Sequence, residues 1–286
     1  RFDSCYFPPP FSLCKHGRGN LMDDARFEPL PPSHGVRTLA GTEHTLANEV
    51  PLAITINGVN HAVMMVSPVQ LDAFITGFLL SEGIIAHHRD IHDLEFSREH
   101  NALIAAVTLA NRCHQPWLQQ KRSLAGRSGC GICGLESLQA ALPELPGLPE
   151  TPLPDTHMLA GLRDQLRPWQ PLNRDCGALH AAFFVDYQGN IHHASEDVGR
   201  HNALDKLLGW QHQQSERPEG MVLLTSRCSI ELVQKMVRGH NPTLLTLSAP
   251  SQLAVEQARH YRLNLIHLPY QQSPRVYAAS AHSQLK

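Results

Sequence analysis

The chain has no run of about 18 or more apolar residues, the length that a membrane-spanning helix requires, so no membrane span is predicted. It shows no basic start, apolar stretch and small-residue cleavage site at its N-terminus, and so no signal peptide. It lacks a charge excess: 24 Lys and Arg face 26 Asp and Glu. That balance argues against broad coating of nucleic acid and leaves room for a local anion pocket. It lacks an even cysteine framework, since the seven cysteines are an odd number in a chain of 286 residues. A disulfide scaffold is therefore not expected, and a reducing cytoplasm is. A second Cys-x-x-Cys is absent, which leaves a zinc knuckle two ligands short. The phosphate-cradling Gly-x-x-x-x-Gly-Lys-Ser/Thr loop is absent too, as is any internal repeat.

What is present is a cysteine pair in a glycine frame, Cys130-Gly131-Ile132-Cys133, with Gly129 before it and Gly134 after it. Glycine makes a backbone that can approach other groups closely. Lys121, Arg122 and Arg127 lead in, and a helix-like run from Leu135 to Leu142 follows. Nearby cations and a helix N-terminus both favour thiolate over thiol. Three readings of the pair stand side by side: a thioredoxin-like redox pair, a zinc ligand pair, and a sulfur carrier with one nucleophilic cysteine on a mobile loop. Inert cysteines would prefer apolar burial, which this polar stretch does not offer.

Residues 1–33, with prolines at 8, 9, 10, 29, 31 and 32, are expected to be a disordered leader, with the natural start near Met22. Residues 34–142 read as an N-terminal α+β part. Val50 to Ile56 and Val59 to Val66 form a hairpin around Asn57-Gly58. Ser67-Pro68 should cap a helix running to about Ser81. Two further strands, Ile91 to Phe96 and Ala102 to Leu109, should lead into the cysteine loop. Residues 143–172 read as a proline-rich linker with a helix from Asp155 to about Leu166. In 173–286, a hairpin (Ala181 to Asp186, Asn190 to Ala194) and a helix (His201 to Trp210) come first. Strands at Val222, Leu244 and Leu263 then alternate with helices at Ile230 and Leu253, the pattern of a layered α/β domain.

Three constellations in this second half can carry chemistry. His180 sits where a loop meets a strand and could bond a ligand or act as acid or base; a structural histidine at a strand edge is the plain alternative. His193, Glu196, Asp197, Arg200 and His201 fall within nine residues at a strand-to-helix junction, where free N–H groups favour anions. The plain alternative there is a capped helix start with surface ion pairs. Ser226 and Arg227 stand at a second such junction, ahead of Ser229, and make a plausible phosphate seat.

Taken together these segments resemble the FdhD family of formate dehydrogenase accessory sulfurtransferases. The resemblance runs from about Glu49 to Tyr277. It rests on Glu49-Val50-Pro51, Leu80 to Ile85, Gly129 to Gly134, His180-Ala181-Ala182, Glu196 to Lys206, Ser226-Arg227 with Glu231 and Lys235, and Ser248-Ala249-Pro250. It implies a C-terminal cytidine deaminase-like α/β/α domain behind the smaller N-terminal part. It implies a cytoplasmic homodimer that takes persulfide sulfur from a cysteine desulfurase on Cys130, with Cys133 supporting. The sulfur passes to the molybdenum cofactor, in its bis-molybdopterin guanine dinucleotide form, before insertion into formate dehydrogenase. His180, Glu196, Asp197, Arg200, His201, Ser226 and Arg227 would hold that cofactor or a guanine nucleotide. The loop Leu268, Pro269, Tyr270, Gln271, Gln272 and Ser273 matches a cofactor loop in position. It lacks the basic, glycine-containing chemistry usual there, and Asp175-Cys176-Gly177 departs from the usual Thr-Gly element before His180. A chaperone that holds the cofactor without covalent sulfur is the alternative function. A zinc hydrolase fits poorly, because zinc deaminases place His-x-Glu ahead of Pro-Cys-x-x-Cys.

Overall fold

Two hydrophobic periodicities build two sheets joined through one helix. The computed structural model describes residues 30–125, 142–159 and 161–280, with side chains 120–125 left aside. Cys130 and Cys133 lie outside the described residues, as does nearly all of the expected leader.

The first sheet has strand order β4-β3-β6-β5. Its strands are β3 (Val50–Ile56), β4 (Val59–Val66), β5 (Ile91–Glu99) and β6 (Ala102–Leu109). The β3–β4 hairpin forms at Asn57-Gly58, with φ of 48° and 76°, the left-handed pair that this dipeptide favours. Leu52, Ile54, Ile56, Leu103, Ala105 and Val107 alternate inward and cover helix α1 (Leu71–Ser81). That helix is buried on nearly every side, as a helix between two layers must be. It does not begin on Ser67-Pro68. Gln70 takes the N-cap position at φ 53° with no side-chain cap, because Ser67 is engaged with the second half instead.

The second sheet has order β12-β11-β10-β9-β7-β8. Its strands are β7 (His180–Val185), β8 (Ile191–Asp197), β9 (Met221–Leu224), β10 (Thr243–Thr246), β11 (Asn264–His267) and β12 (Arg275–Ala278). Strands β9, β10 and β11 are parallel, while β7 and β12 run antiparallel to their neighbours. One face packs on helices α5 (Arg200–Gln213), α6 (Ile230–Arg238) and α7 (Gln252–His260). The other face is covered by Leu159, Leu162 and Leu166. Burial on both faces explains why the central residues of β7, β9, β10 and β11 are apolar in runs rather than alternating.

Several expectations are corrected. The loop after β6 opens with a helix, α2 (Asn111–Ala125), which holds Pro116 and is too polar to show a clear apolar stripe. The helix expected from Asp155 to Leu166 is only α3 (Thr156–Leu159), followed by short 3-10 turns; Gly161, at φ 76°, separates them. Helix α4 (Pro171–Cys176) was not foreseen. Neither was the hairpin of β1 (Ser33–Arg37) and β2 (Glu43–Ala47), whose first residue was expected to be leader.

The two halves meet where α1 crosses α5. Gly77 and Gly209 face each other's backbones so closely that a methyl on Gly77 would stand 1.7 Å from the Asp205 carbonyl oxygen. Beside them, Lys235 Nζ donates to Asp205 Oδ2 at 2.8 Å and to Ser81 Oγ at 2.7 Å. Ser81 Oγ in turn donates to Asp205 Oδ1 at 2.8 Å. Three elements from both halves thus share one buried polar knot.

Candidate functional site

Parallel strands place their following loops on one edge of a sheet, the usual position of a ligand crevice in open α/β sheets. Here β9, β10 and β11 end on the same edge. The start of antiparallel β7 and the end of β8 join them, since His180 pairs with Asp197 and Ala182 with Leu224. All three constellations, except His193, which lies opposite Phe184 and stacks on Trp210, therefore converge with the loop after β11 along one edge, although they span about 90 residues of sequence.

They do not all face outward. Glu196 is buried, and its two oxygens accept the N–H groups of Asn173 at 2.8 Å and Leu172 at 3.0 Å, closing the N-terminus of α4. Burial, only partly offset by those bonds, raises its pKa. Asp197 is fully buried and meets Lys206 Nζ at 2.6 Å. It also accepts the N–H groups of Ser67 at 3.0 Å and Gly199 at 2.8 Å, and Asn202 Nδ2 at 2.9 Å. The surface ion pairs of the plain alternative are not what forms here: both carboxylates are buried and hold the scaffold. Asp197 is the clasp by which the loop after β4 fixes the turn ahead of Arg200, and it is closed to direct ligand contact.

Arg227 is exposed at this edge, with His180, Arg200 and His201 half-buried beside it. Arg200 and Arg227 line a hollow of about 340 Å³ with Ser229, Ala249 and Pro250, and no carboxylate is among its lining residues. The N-terminus of α6 opens there, with Ser229 as a cap residue whose side chain caps nothing, a setting that favours anions. His180 and His201 stand within electrostatic reach of Arg200. Burial first, then Arg200 and Lys235, lower the His201 pKa to about 4. His180 is lowered too, by burial and then by Arg200. Both rings are therefore neutral near pH 7, and the buried Nε2 of His201 has no partner among the described residues. Ser226 is buried, its hydroxyl turned onto the Arg227 carbonyl at 3.1 Å. Cys228, in the same hollow, is 1% exposed, and burial pushes its thiol up to about 12, which makes it inert. Cys176 is spent on the Leu172 carbonyl at 3.1 Å.

The loop Leu268 to Ser273 lines a separate hollow of about 690 Å³ further along the edge. Its missing basic group is supplied from elsewhere in the chain. Arg163 Nη2 donates to the carbonyls of Leu247 at 2.9 Å and Leu268 at 3.1 Å. Its guanidinium carbon lies 5.6 Å from the ring centre of Tyr270, a cation–π distance. Sequence reading passed over Arg163, because nothing local marks a residue whose partners are 84 and 105 positions away.

Fold and site together define a mixed α/β protein that gathers cationic and imidazole groups along one edge of a largely parallel sheet. The chain belongs to the FdhD/NarQ family, whose model matches residues 47–284. It is 41% identical over 234 residues to the sulfur carrier protein FdhD of Burkholderia mallei, covering 77% of this chain and 84% of that one. It is 36% identical over 233 residues to the protein of the same name from Bordetella parapertussis, covering 81% and 84%. Among solved structures, a formate dehydrogenase accessory protein from Desulfotalea psychrophila superposes with a TM-score of 0.63. That match covers 87% of this chain and 98% of that one, and at 23% identity it speaks to the fold. Among the described residues no helix is long and apolar enough to cross a membrane.

Proposed function

We propose that this protein is a sulfur carrier that works through a persulfide on Cys130. The Cys130 thiolate attacks the outer sulfur of a cysteine desulfurase persulfide. A new S–S bond forms on Cys130, the donor's S–S bond breaks, and the donor leaves as a thiolate. The sulfur then passes to the molybdenum cofactor, the substrate, in its bis-molybdopterin guanine dinucleotide form, before insertion into formate dehydrogenase. Cys133 supports the persulfide. In this reading the C-terminal half is a cytidine deaminase-like layer and the working unit is a cytoplasmic homodimer.

The observation that carries the reading is the acid-free hollow between Arg200 and Arg227, in a chain whose relatives bear the name sulfur carrier. Two guanidiniums suit phosphate oxygens by their forked geometry. A nucleotide end of the cofactor would meet them, with His201 Nε2 and His180 offering hydrogen bonds. The chain's contribution to rate is positioning. Asp197 and Ser67 fix the Arg200 turn, and α1 ties that turn to the half from which the cysteine segment continues.

The test is mass spectrometry without reductant, after incubation with a cysteine desulfurase and cysteine. One added sulfur on the Cys130 peptide, absent in Cys130→Ala, is expected, and Cys130→Ala should leave formate dehydrogenase inactive with the carrier's fold intact. Full activation by Cys130→Ala would instead establish a chaperone that uses no covalent sulfur.

A further inference from the structure

Helix α5 begins at the sheet edge with Arg200 and ends about 20 Å away, at 1.5 Å per residue, on the opposite side of the molecule. There it meets the turn at His87 to Asp90 and the start of α2, and these three elements enclose a hollow of about 720 Å³. Its lining includes Arg89, Arg112, His87, His88 and His212, and no acidic residue. Asp90, on the same turn, is 1% exposed and committed inward. It accepts the N–H groups of Ala86 and His87, and Arg112 Nε at 2.8 Å. Asp72, on α1, attracts His88 electrostatically. Arg89 is exposed and makes no ion pair among the described residues. The His212 ring meets the Gly239 backbone, and its buried Nε2 has no hydrogen-bond partner among the described residues. Arg217 adds positive potential beside its ring.

Burial lowers the pKa of His88 and of His212, so the positive charge of the hollow rests on Arg89 and on Arg112, which Asp90 already offsets in part. A buried ring nitrogen without a partner is costly unless a ligand or water meets it. Guanidiniums present paired N–H groups that match phosphate oxygens. We propose that this hollow is a second anion site, distinct from the sheet edge, which takes the diphosphate group of a small phosphorylated ligand between Arg89, Arg112 and His212. The site uses none of the groups assigned to sulfur transfer, so it stands whether or not Cys130 carries sulfur.

The probe is inorganic pyrophosphate at low salt, titrated by calorimetry and by histidine ring NMR. The His212 resonance is assigned by its loss in His212→Gln. Titrations in the Arg227→Ser protein silence the sheet edge. Pyrophosphate should shift the His212 resonance equally in the unmodified and Arg227→Ser proteins. Arg89→Ser should weaken that binding by about tenfold or more, the scale of one lost charge-assisted contact, and Arg89→Glu should abolish it. Arg89 is exposed, so both variants should fold; if His212→Gln does not, calorimetry on the Arg89 pair decides. An unmoved His212 resonance, or an affinity indifferent to Arg89→Glu, overturns the proposal.

Discussion

Replacing Gly77 by alanine tests whether the α1–α5 crossing sets the distance between the two halves. In an ordinary exposed helix this change stabilises by up to about 1 kcal/mol, because glycine is the poorer helix former. Here the added methyl would lie 1.7 Å from the Asp205 carbonyl oxygen and 2.8 Å from the Gly209 nitrogen, where ordinary contact begins at 3.4 Å. Both neighbours are backbone and cannot rotate away. The helices must part, and parting stretches the Lys235–Asp205–Ser81 knot, whose bonds are 2.7 to 2.9 Å. Overpacking a tight core costs about 1–3 kcal/mol, and weakening a buried charge-assisted bond about 1.5–3 kcal/mol more. Against the propensity gain, a net loss of about 3 kcal/mol is expected. At about 2–4 °C per kcal/mol for a chain of this size, Tm should fall by about 6–12 °C. Gly209→Ala should behave alike, since its methyl would stand 1.8 Å from the Ala73 carbonyl oxygen. Gly35→Ala, with nothing within 4 Å, is the control and should leave Tm unchanged. Circular dichroism melts of the three variants suffice. An unchanged or raised Tm for Gly77→Ala would refute the close crossing.

Asp205→Asn leaves the Lys235 ammonium with only the more exposed Glu82 carboxylate, at 4.0 Å, and should cost about 3 kcal/mol in urea unfolding; a loss below about 1 kcal/mol would show the pair to be dispensable. Stability should also fall in mild acid. Burial holds His193, His201 and His212 down to about 4 in the folded chain. The unfolded chain takes up these protons near 6.5, so below that pH it binds more protons than the native state and stability drops until about pH 4. A flat urea midpoint between pH 7 and 5 would contradict this. Arg227→Ser removes an exposed side chain and should change stability by no more than about 0.5 kcal/mol. It should weaken cofactor-nucleotide binding by about tenfold while Cys130 loads sulfur as before, which mass spectrometry and calorimetry read separately.

Local chemistry is what the sequence made legible. Asn57-Gly58 fixed its hairpin, because few other dipeptides accept two left-handed residues in succession. The apolar runs of the second half revealed their strands because a sheet covered on both faces favours apolar residues on both sides of its central strands. The arginines and histidines of the two strand-to-helix junctions could be picked out because residue type and junction position both lie within a few residues of sequence. What the tertiary structure decided is direction and partnership. Glu196 and Asp197 looked like ligand groups beside Arg200, yet they turn inward, Asp197 to Lys206 and to the distant Ser67. Arg163 looked incidental, yet it closes on Tyr270. Helix α2 escaped because its apolar pattern is faint and Pro116 interrupts it. A side chain's role in a buried network depends on which remote backbone comes to rest beside it, and burial converts that proximity into a strong interaction. No spacing within the sequence encodes it.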